Sequence, residues 1–478
     1  MKKLILLGCL LISSAELLAQ QFLQYNTETV YDSFENPSQR SFIRDTTRKF
    51  AFNFFFPSIT TNGYLTGNVQ QTLVNRLSNA QYDNSNLQIG EGKRNYLNLN
   101  INAYLFMFKV YLDQKGDQEL GLSMKLVGEG RANVTDETIA LFNGGRDFGM
   151  NDYSGVFNSS GAAQVYQQYG LSFREKVTPR LALGIKANFL LGVEQHKLNV
   201  TRSDLAIDRA ANTATFSAKG SYYKTGRTIM GLKNPGLSVT LGGTYLYENG
   251  MILQGNIKDL GFIYWGDEPS RVSIDGTVVI NNFTSGQSEK NVDDKLSGLI
   301  NRSPSNSKGF FTGTNGLAEA SLSKRFWLDD RHRFRAFPTL LLQKQLFYDG
   351  ITGVLMSHFQ YNKFNLSVSS SYDNRNLFAA GMQFMYKAPN FEVFAGTERI
   401  IQTRRLASSL MSDKIYNNTA YTGADIFLGM SFKFGYPIES PANSSFVPMG
   451  SEGPGFLGRI YNKIFKGSAK KVGEMERY

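Results

Sequence analysis

The chain has 478 residues, with 51 Lys and Arg against 40 Asp and Glu for a net charge of +11, 13% aromatic residues and 46 glycines. Its one cysteine, Cys9, lies in the apolar opening stretch; beyond it, disulfides, thiolate metal sites and cysteine nucleophiles are excluded. The basic charge is scattered along the chain, which argues against a nucleic-acid surface, and past the opening no run approaches the roughly eighteen apolar residues of a spanning helix.

Residues 1–19 read as a secretory signal peptide: Lys2 and Lys3, an apolar run from Leu4, and Ala19 before Gln20. Removing Lys2, Lys3 and Glu16 takes away two positive charges and one negative, so +11 becomes +10. Residues 20–48 are polar and irregular, suiting a periplasmic lead-in or a hatch. Residues 49–436 carry the strand signals, and 437–478 form a C-terminal extension.

Alternating segments fall at 49–57, 94–112, 118–131, 163–176, 179–200, 236–248, 251–265, 316–328, 332–347, 351–360, 363–373, 376–387, 390–398 and 423–436, fourteen in all. In the fifth, Leu181, Leu183, Ile185, Ala187, Phe189, Leu191 and Val193 share one face, with Arg180, Lys186, Asn188, Glu194 and His196 on the other. From Leu181 to Val193 the strand runs roughly 40 Å at ~3.3 Å per residue. Tilted by about 45°, that projects to roughly 28 Å, close to the ~25 Å apolar band of an outer-membrane barrel. Leu181, Leu183, Ile185, Phe189, Leu191 and Val193 are therefore expected to face lipid. Arg180, Lys186, Asn188, Glu194 and His196 are expected in the lumen, together with Asn98, Asn100 and Asn102 of the second segment and Lys433 of the last.

The separators obey a parity. Short turn signals such as 113–117, Thr178-Pro179, Asn249-Gly250 and Pro389-Asn390 follow even segments, whereas long connections at 58–93, 132–162, 201–235, 266–315 and 399–422 follow odd ones. A barrel with short periplasmic turns and long external loops requires this pattern. Residues 213–219 and 272–280 also alternate, so sixteen strands is the alternative count. Helical spacing at 68–78 and 291–300 suggests packing within the loops.

In the last segment Ile426, Leu428, Met430, Phe432 and Phe434 share a face expected to meet lipid. Beyond it, Phe456, Leu457, Ile460, Tyr461, Ile464 and Phe465 fall on one side of an amphipathic helix, which either lies on the inner leaflet or packs on the periplasmic rim. Gly453-Pro454-Gly455-Phe456-Leu457-Gly458 matches the dinucleotide-binding glycine pattern but follows no strand of a βαβ unit and carries Pro454 in the turn, and no phosphate-loop lysine, serine-hydrolase or zinc-protease motif is present. Of three histidines, His196 shares a face with Glu194, and His358 cannot pair with Ser357 because strand neighbours point apart. No cofactor, no metal and no catalysis are expected.

Three stretches, Asn36-Pro37-Ser38, the Leu183-Gly184-Ile185-Lys186 run continuing to Gly192, and Asp259-Leu260-Gly261-Phe262-Ile263-Tyr264-Trp265, resemble signatures of an uncharacterised Bacteroidota outer-membrane β-barrel family. Ser38 stands where that family has Ala, and the lysine comes earlier in the second pattern. A more distant likeness, in strand count and N-terminal lead-in, is to long-chain fatty-acid-transporter barrels and to the shuttle barrel of type IX secretion. The resemblance implies location and fold, and transfers no residue roles.

The sequence thus predicts an all-β transmembrane antiparallel barrel of about fourteen strands in a Gram-negative outer membrane, contacting lipid. It is expected to be a gated passage for a small, amphipathic molecule that the residues do not name. The alternative is a closed barrel that docks a periplasmic or secretion-machinery protein through residues 450–478.

Overall fold

The computed structural model describes residues 22–39, 48–438 and 456–465, except 54–55, 80–82, 114, 144, 230, 285–287, 301–304, 307, 332, 348–349, 375–376 and 413–421. The expected signal peptide, His332 and most of the C-terminal extension lie outside the described residues.

Fourteen antiparallel strands form the wall. They are β1 (Arg48–Phe52 and Ser58–Leu65), β2 (Arg94–Tyr111), β3 (Gln118–Thr135), β4 (Ser160–Thr178), β5 (Leu181–Asp208), β6 (Pro235–Leu246) and β7 (Met251–Trp265). The second half comprises β8 (Phe310–Gly313 and Leu317–Lys324), β9 (Phe334–Gln345), β10 (Ile351–Tyr361), β11 (Phe364–Asp373), β12 (Leu377–Ala388), β13 (Phe391–Thr397) and β14 (Thr422–Pro437). Both parts of β1 pair with β14, through Phe52↔Phe432 and Ile59↔Leu428, so the sheet closes and has no open edge there.

The first strand runs further than its alternation suggested. Asn53 breaks it: the side-chain Nδ2 donates to the Tyr104 carbonyl at 3.1 Å and Oδ1 accepts from the Met107 N–H at 2.5 Å, opposite a bulge that leaves Leu105 unmatched on β2. Pairing resumes at Ser58↔Tyr104, so 58–65, expected as loop, is wall. The two extra alternating segments are strands too, Thr213–Lys224 and Ser270–Asn281. They pair with each other, and Thr213–Lys224 also pairs with the long outer end of β5, making a ribbon that stands beyond the barrel, which fixes the wall at fourteen strands.

Large apolar side chains point outward around the whole circumference, Ile185 at 39% exposed, Phe189 at 38%, Leu355 at 62% and Ile426 at 54% among them. Such a continuous apolar exterior is the signature of a lipid-facing wall. No described helix is long and apolar enough to cross a membrane.

At the loop end, the ribbon, the helices Asp136–Phe142 and Ser288–Ile300 and the outer end of β5 enclose an apolar core. It includes Leu141, Phe148, Phe157, Leu205, Phe216, Ile280, Phe283 and Val292. The helix expected at 68–78 forms as Val69–Asn79 and the one at 291–300 as Ser288–Ile300. A further helix, Ile400–Ser412, was not legible from spacing.

Candidate functional site: a plugged lumen

Residues 22–39 lie inside the barrel. Leu23, Tyr31, Phe34 and Asn36 are fully buried, and the segment bonds to β6, β7, β10 and β13 among other strands. Leu23 N–H donates to Glu398 Oε1 at 3.0 Å, and Val30 N–H to Glu392 Oε1 at 2.7 Å. Tyr104 Oη donates to Glu35 Oε1 at 2.6 Å, and Asn256 Nδ2 donates to the Glu35 carbonyl at 3.0 Å. Ser38 Oγ and Thr244 Oγ1 are 2.8 Å apart. A short helix, Asp32–Glu35, carries Phe34 against the wall at Gly121, where an added Cβ would sit 2.9 Å from the ring.

Two buried charge clusters anchor this plug. In the first, Asp259 lies 3.2 Å from Lys125 Nζ and 3.6 Å from Lys186 Nζ, and accepts from Gln168 at 2.9 Å, Asn188 at 3.2 Å and Thr240 at 3.3 Å. Glu35 of the plug joins it through Lys258. Lys186 Nζ also donates to the Phe34 carbonyl at 2.7 Å, which ties wall and plug together. Asp259 can take this place because β7 bulges at Lys258-Asp259. Register against β6 slips between Ile257 and Leu260, and Asp259 adopts φ 48°, so two successive side chains point inward. In the second cluster Glu28 meets Arg335 at 2.5 Å, Lys387 at 2.9 Å and Arg325 at 3.5 Å.

The three sequence stretches that carried the family resemblance meet in space. A Cβ on Gly184 would lie 2.4 Å from the Pro37 carbonyl carbon, so only glycine lets the Asn36-Pro37-Ser38 turn lie on β5. Asn36 Oδ1 holds that turn by accepting from Ser38 N–H at 3.1 Å and Ser38 Oγ at 2.8 Å. Asp259 neutralises Lys186, and Trp265, fully buried, covers Gly192 and donates to Thr312 Oγ1 at 2.8 Å. Gly261 lies against the Leu237 carbonyl, with room for no Cβ, while Leu260 and Phe262 point outward.

Of the expected lumen residues, Lys186, Asn188, Asn98, Asn100 and Lys433 are buried inside; Lys433 pairs with Glu392 at 2.7 Å, and Asn102 Nδ2 donates to Asn100 Oδ1 at 3.1 Å. Three are elsewhere. Arg180 lies in the β4–β5 turn, half exposed, paired with Glu248 at 2.7 Å. Glu194 and His196 are turned outward by a bulge: Val165 pairs with Glu194 but Tyr166 with Gly192, so Val193 is the extra residue and the alternation inverts beyond it. Gln195 then points inward, buried, while His196 Nε2 meets Glu194 Oε1 at 2.9 Å and its Nδ1 the Tyr222 hydroxyl at 2.8 Å.

The same bulge buries Val193, which was expected at the lipid face. Leu181, Leu183, Ile185, Phe189 and Leu191 keep outward positions of partial to full exposure, as do Ile426, Leu428, Met430, Phe432 and Phe434. Sequence reasoning missed Glu28, Glu35, Lys125, Lys258, Arg335 and Lys387. The four cations occupy wall strands, and Lys125, Arg335 and Lys387 follow the inward alternation of theirs; Glu28 and Glu35 sit in an irregular segment that offers no such signal.

Above the plug, towards the loop end, a cavity of about 550 Å³ is lined by Glu129, Arg131, Asn133, Gln164, Lys197 and Asn199 among others. Glu129 is held by Tyr166 Oη at 2.8 Å and Gln164 Nε2 at 3.0 Å. Beyond the end of β7, Asp267 gathers the 225–234 connection through Lys233 at 2.8 Å and Thr228. Those two contacts hold its carboxyl below the ordinary carboxylate range, so it stays ionised.

A closed wall with an apolar exterior and a polar, internally plugged lumen defines a membrane β-barrel. The chain belongs to a family of unknown function (DUF5723), whose pattern matches residues 45–398. No curated protein matches it. Among solved structures it is similar to the toluene transporter TodX of Pseudomonas putida (9% identity, TM-score 0.41, 89% of this chain and 96% of that one). A FadL homologue of Pseudomonas aeruginosa gives 10% identity and a TM-score of 0.41 over 84% and 93%. The translocator domain of the autotransporter NalP from Neisseria meningitidis gives 8% and 0.35 over 82% and 91%. This is the likeness of one barrel to another and bears on neither cargo nor mechanism.

Proposed function

We propose that the protein is an outer-membrane barrel providing a gated passage for a small molecule, with residues 22–39 as the gate. The observation that carries this reading is the character of the plug's seat. The plug meets the wall through ion pairs and single hydrogen bonds beside small apolar contacts at Leu23, Tyr25 and Phe34, and the buried amides of Gln24, Gln345 and Gln383 find no protein partner among the described residues. Buried polar groups of this kind are satisfied by water, and an interface that admits water can part. A permanently sealed barrel would be expected to fill its interior with apolar side chains.

On this reading the short-turn end faces the periplasm and the loop end the exterior, so the cavity near Glu129 and Gln164 is the outer vestibule. Reconstitution into planar bilayers tests the proposal. The intact protein should conduct little, and deletion of residues 22–39 should open a steady conductance and admit small solutes to liposomes. A barrel that stays silent after the deletion would instead be a closed structural component.

One observation favours that second role. The helix Phe456–Phe465 rests on the short-turn end of β4, where Gly458 N–H donates to Glu175 Oε1 at 2.9 Å, and it leaves Ile460 and Ile464 exposed. That face suits the inner leaflet or a periplasmic protein. Loss of co-purifying proteins on deleting 450–478 supports docking; unchanged partners remove it.

A further inference from the structure

Three adjacent strands beside the loop-end cavity, β3, β4 and β5, are in register, and their inward residues form rows. Nearest the plug, Glu129, Gln164 and Gln195 stand abreast. Two residues further out come Arg131, Ala162 and Lys197, and two beyond those Asn133, Ser160 and Asn199. Opposed residues of antiparallel strands share a face, so every row looks into the cavity. The extra residue at Val193 supplies the third column: without it Glu194, His196 and Leu198 would face inward, and the cavity would hold a second carboxylate in place of its amide and lose its lysine.

The rows differ in what they leave unused. In the first, Gln164 Nε2 donates to Glu129 Oε2 at 3.0 Å, Gln164 Oε1 accepts from Thr312 Oγ1 at 2.8 Å, and Glu129 Oε1 accepts from the Tyr166 hydroxyl at 2.8 Å. Gln195 is different. It is 2% exposed and its backbone is fixed to Thr225, yet its carboxamide Oε1 meets no donor among the described residues. A buried carbonyl oxygen in that state bears the full cost of lost hydration until a molecule in the cavity, water or ligand, donates to it. In the second row Arg131, which acts electrostatically on Glu129, and Lys197, exposed and in no ion pair among the described residues, flank Ala162. Their backbones stand two strand spacings apart, about 10 Å, with only a methyl group on the floor between them. Arg94 Nη1, 3.5 Å from Asn133 Oδ1, adds a further positive charge at the rim.

These features select the ligand. A hydrocarbon would strip water from amides and cations and return no hydrogen bond. A bare inorganic ion would leave most of the cavity's volume of about 550 Å³ empty and the Gln195 amide unanswered. From Gln195 to Asn199 the rows span roughly 13 Å, four residues at ~3.3 Å each. A short saccharide fits such a face, and its neighbouring hydroxyls both donate and accept, as the oxygen and the NH₂ of a carboxamide require. The geometry points to a binding site for an acidic saccharide, whose negative group lies over Ala162 between Arg131 and Lys197 while its hydroxyls meet Gln195 and Asn199. The plug stays in place when this site fills. That the site meets an incoming molecule first rests on the reading of the barrel as a passage with its loop end outside.

Isothermal titration calorimetry on the full chain in detergent micelles tests the site with digalacturonate, maltose 1-phosphate, maltose and inorganic phosphate. One or both of the acidic sugars should bind about tenfold more tightly than maltose, a difference of ~1.4 kcal/mol, and the tighter of the two identifies the charged group. Lys197→Gln should remove that advantage and Lys197→Arg should keep it. Gln195→Ala should weaken acidic and neutral sugars alike, because it acts on hydroxyls. If Gln195→Ala fails to fold, Ala162→Leu fills the floor of the middle row and should abolish binding in a barrel of unchanged heat-modifiable mobility. Equal affinity for maltose and the acidic sugars, inorganic phosphate binding as tightly as maltose 1-phosphate, unchanged affinity in Lys197→Gln, or no binding by any probe would overturn the site. Binding to a barrel that stays silent after deletion of 22–39 keeps this site and removes the passage; conductance without binding does the reverse.

Discussion

The lumen and the loop-end cap are both buried, yet charge is concentrated in one and almost absent from the other: small apolar clusters at Leu23, Tyr25 and Phe34 help seat the plug, but among the described residues buried ion pairs join them only in the lumen. The cap packs Phe148, Phe157, Phe216, Ile280 and Phe283 into a dry apolar cluster, whereas the lumen seats its plug with Asp259, Lys125, Lys186, Glu28, Arg335 and Lys387. Apolar packing is non-directional and hard to undo locally, since each removed side chain leaves a cavity. Charge pairs can be exchanged for other charges, so they suit a contact that must sometimes break. On the proposed reading of residues 22–39 as a gate, the contrast separates a part built to persist from a part built to be released.

That contrast can be attacked from several sides. Asp259→Ala should have the largest effect, because it strips the counter-ion from buried Lys125 and Lys186; a loss of about 3–5 kcal/mol is usual for such a change. Urea unfolding followed by heat-modifiable gel mobility would register it. Phe283→Ala should cost a similar or slightly smaller ~3–4 kcal/mol, but confined to the cap. Hydrogen exchange should then quicken in the ribbon while the wall strands stay protected, and uniform loosening would contradict the separation.

Gly184→Val should leave the wall folded and dislodge the Asn36-Pro37-Ser38 turn, since the Cβ position lies 2.4 Å from Pro37. The readout is conductance in an otherwise stable barrel, and a tight barrel would show that the plug does not depend on that contact. At the bottom of the scale, Arg180→Gln breaks an exposed pair with Glu248 and should change neither stability nor conductance measurably.

Much of this is legible in the sequence, and the misassigned strand faces share a cause. Strand period, turn parity and the lipid face of β14 follow from local alternation, which a pleated strand imposes on any half-apolar wall. Errors cluster at bulges. The extra residue at Val193 inverted the faces assigned to Val193, Glu194 and His196, and the Lys258-Asp259 bulge put two neighbours in the lumen where alternation allows one. A bulge is a property of two strands in register, and one strand's sequence does not announce it. The ribbon strands Thr213–Lys224 and Ser270–Asn281 were visible as strands, but whether they entered the wall depended on which partner they met.

The sequence by itself determined alternating strands with one oily face, because that feature repeats every two residues and needs only near neighbours. Tertiary structure alone decided what fills the inside. Glu28 and Glu35 lie in a segment without periodicity, and their partners come from strands up to 359 positions away, as Lys387 does from Glu28. Only closure of the barrel brings such distant charges within reach of one carboxylate.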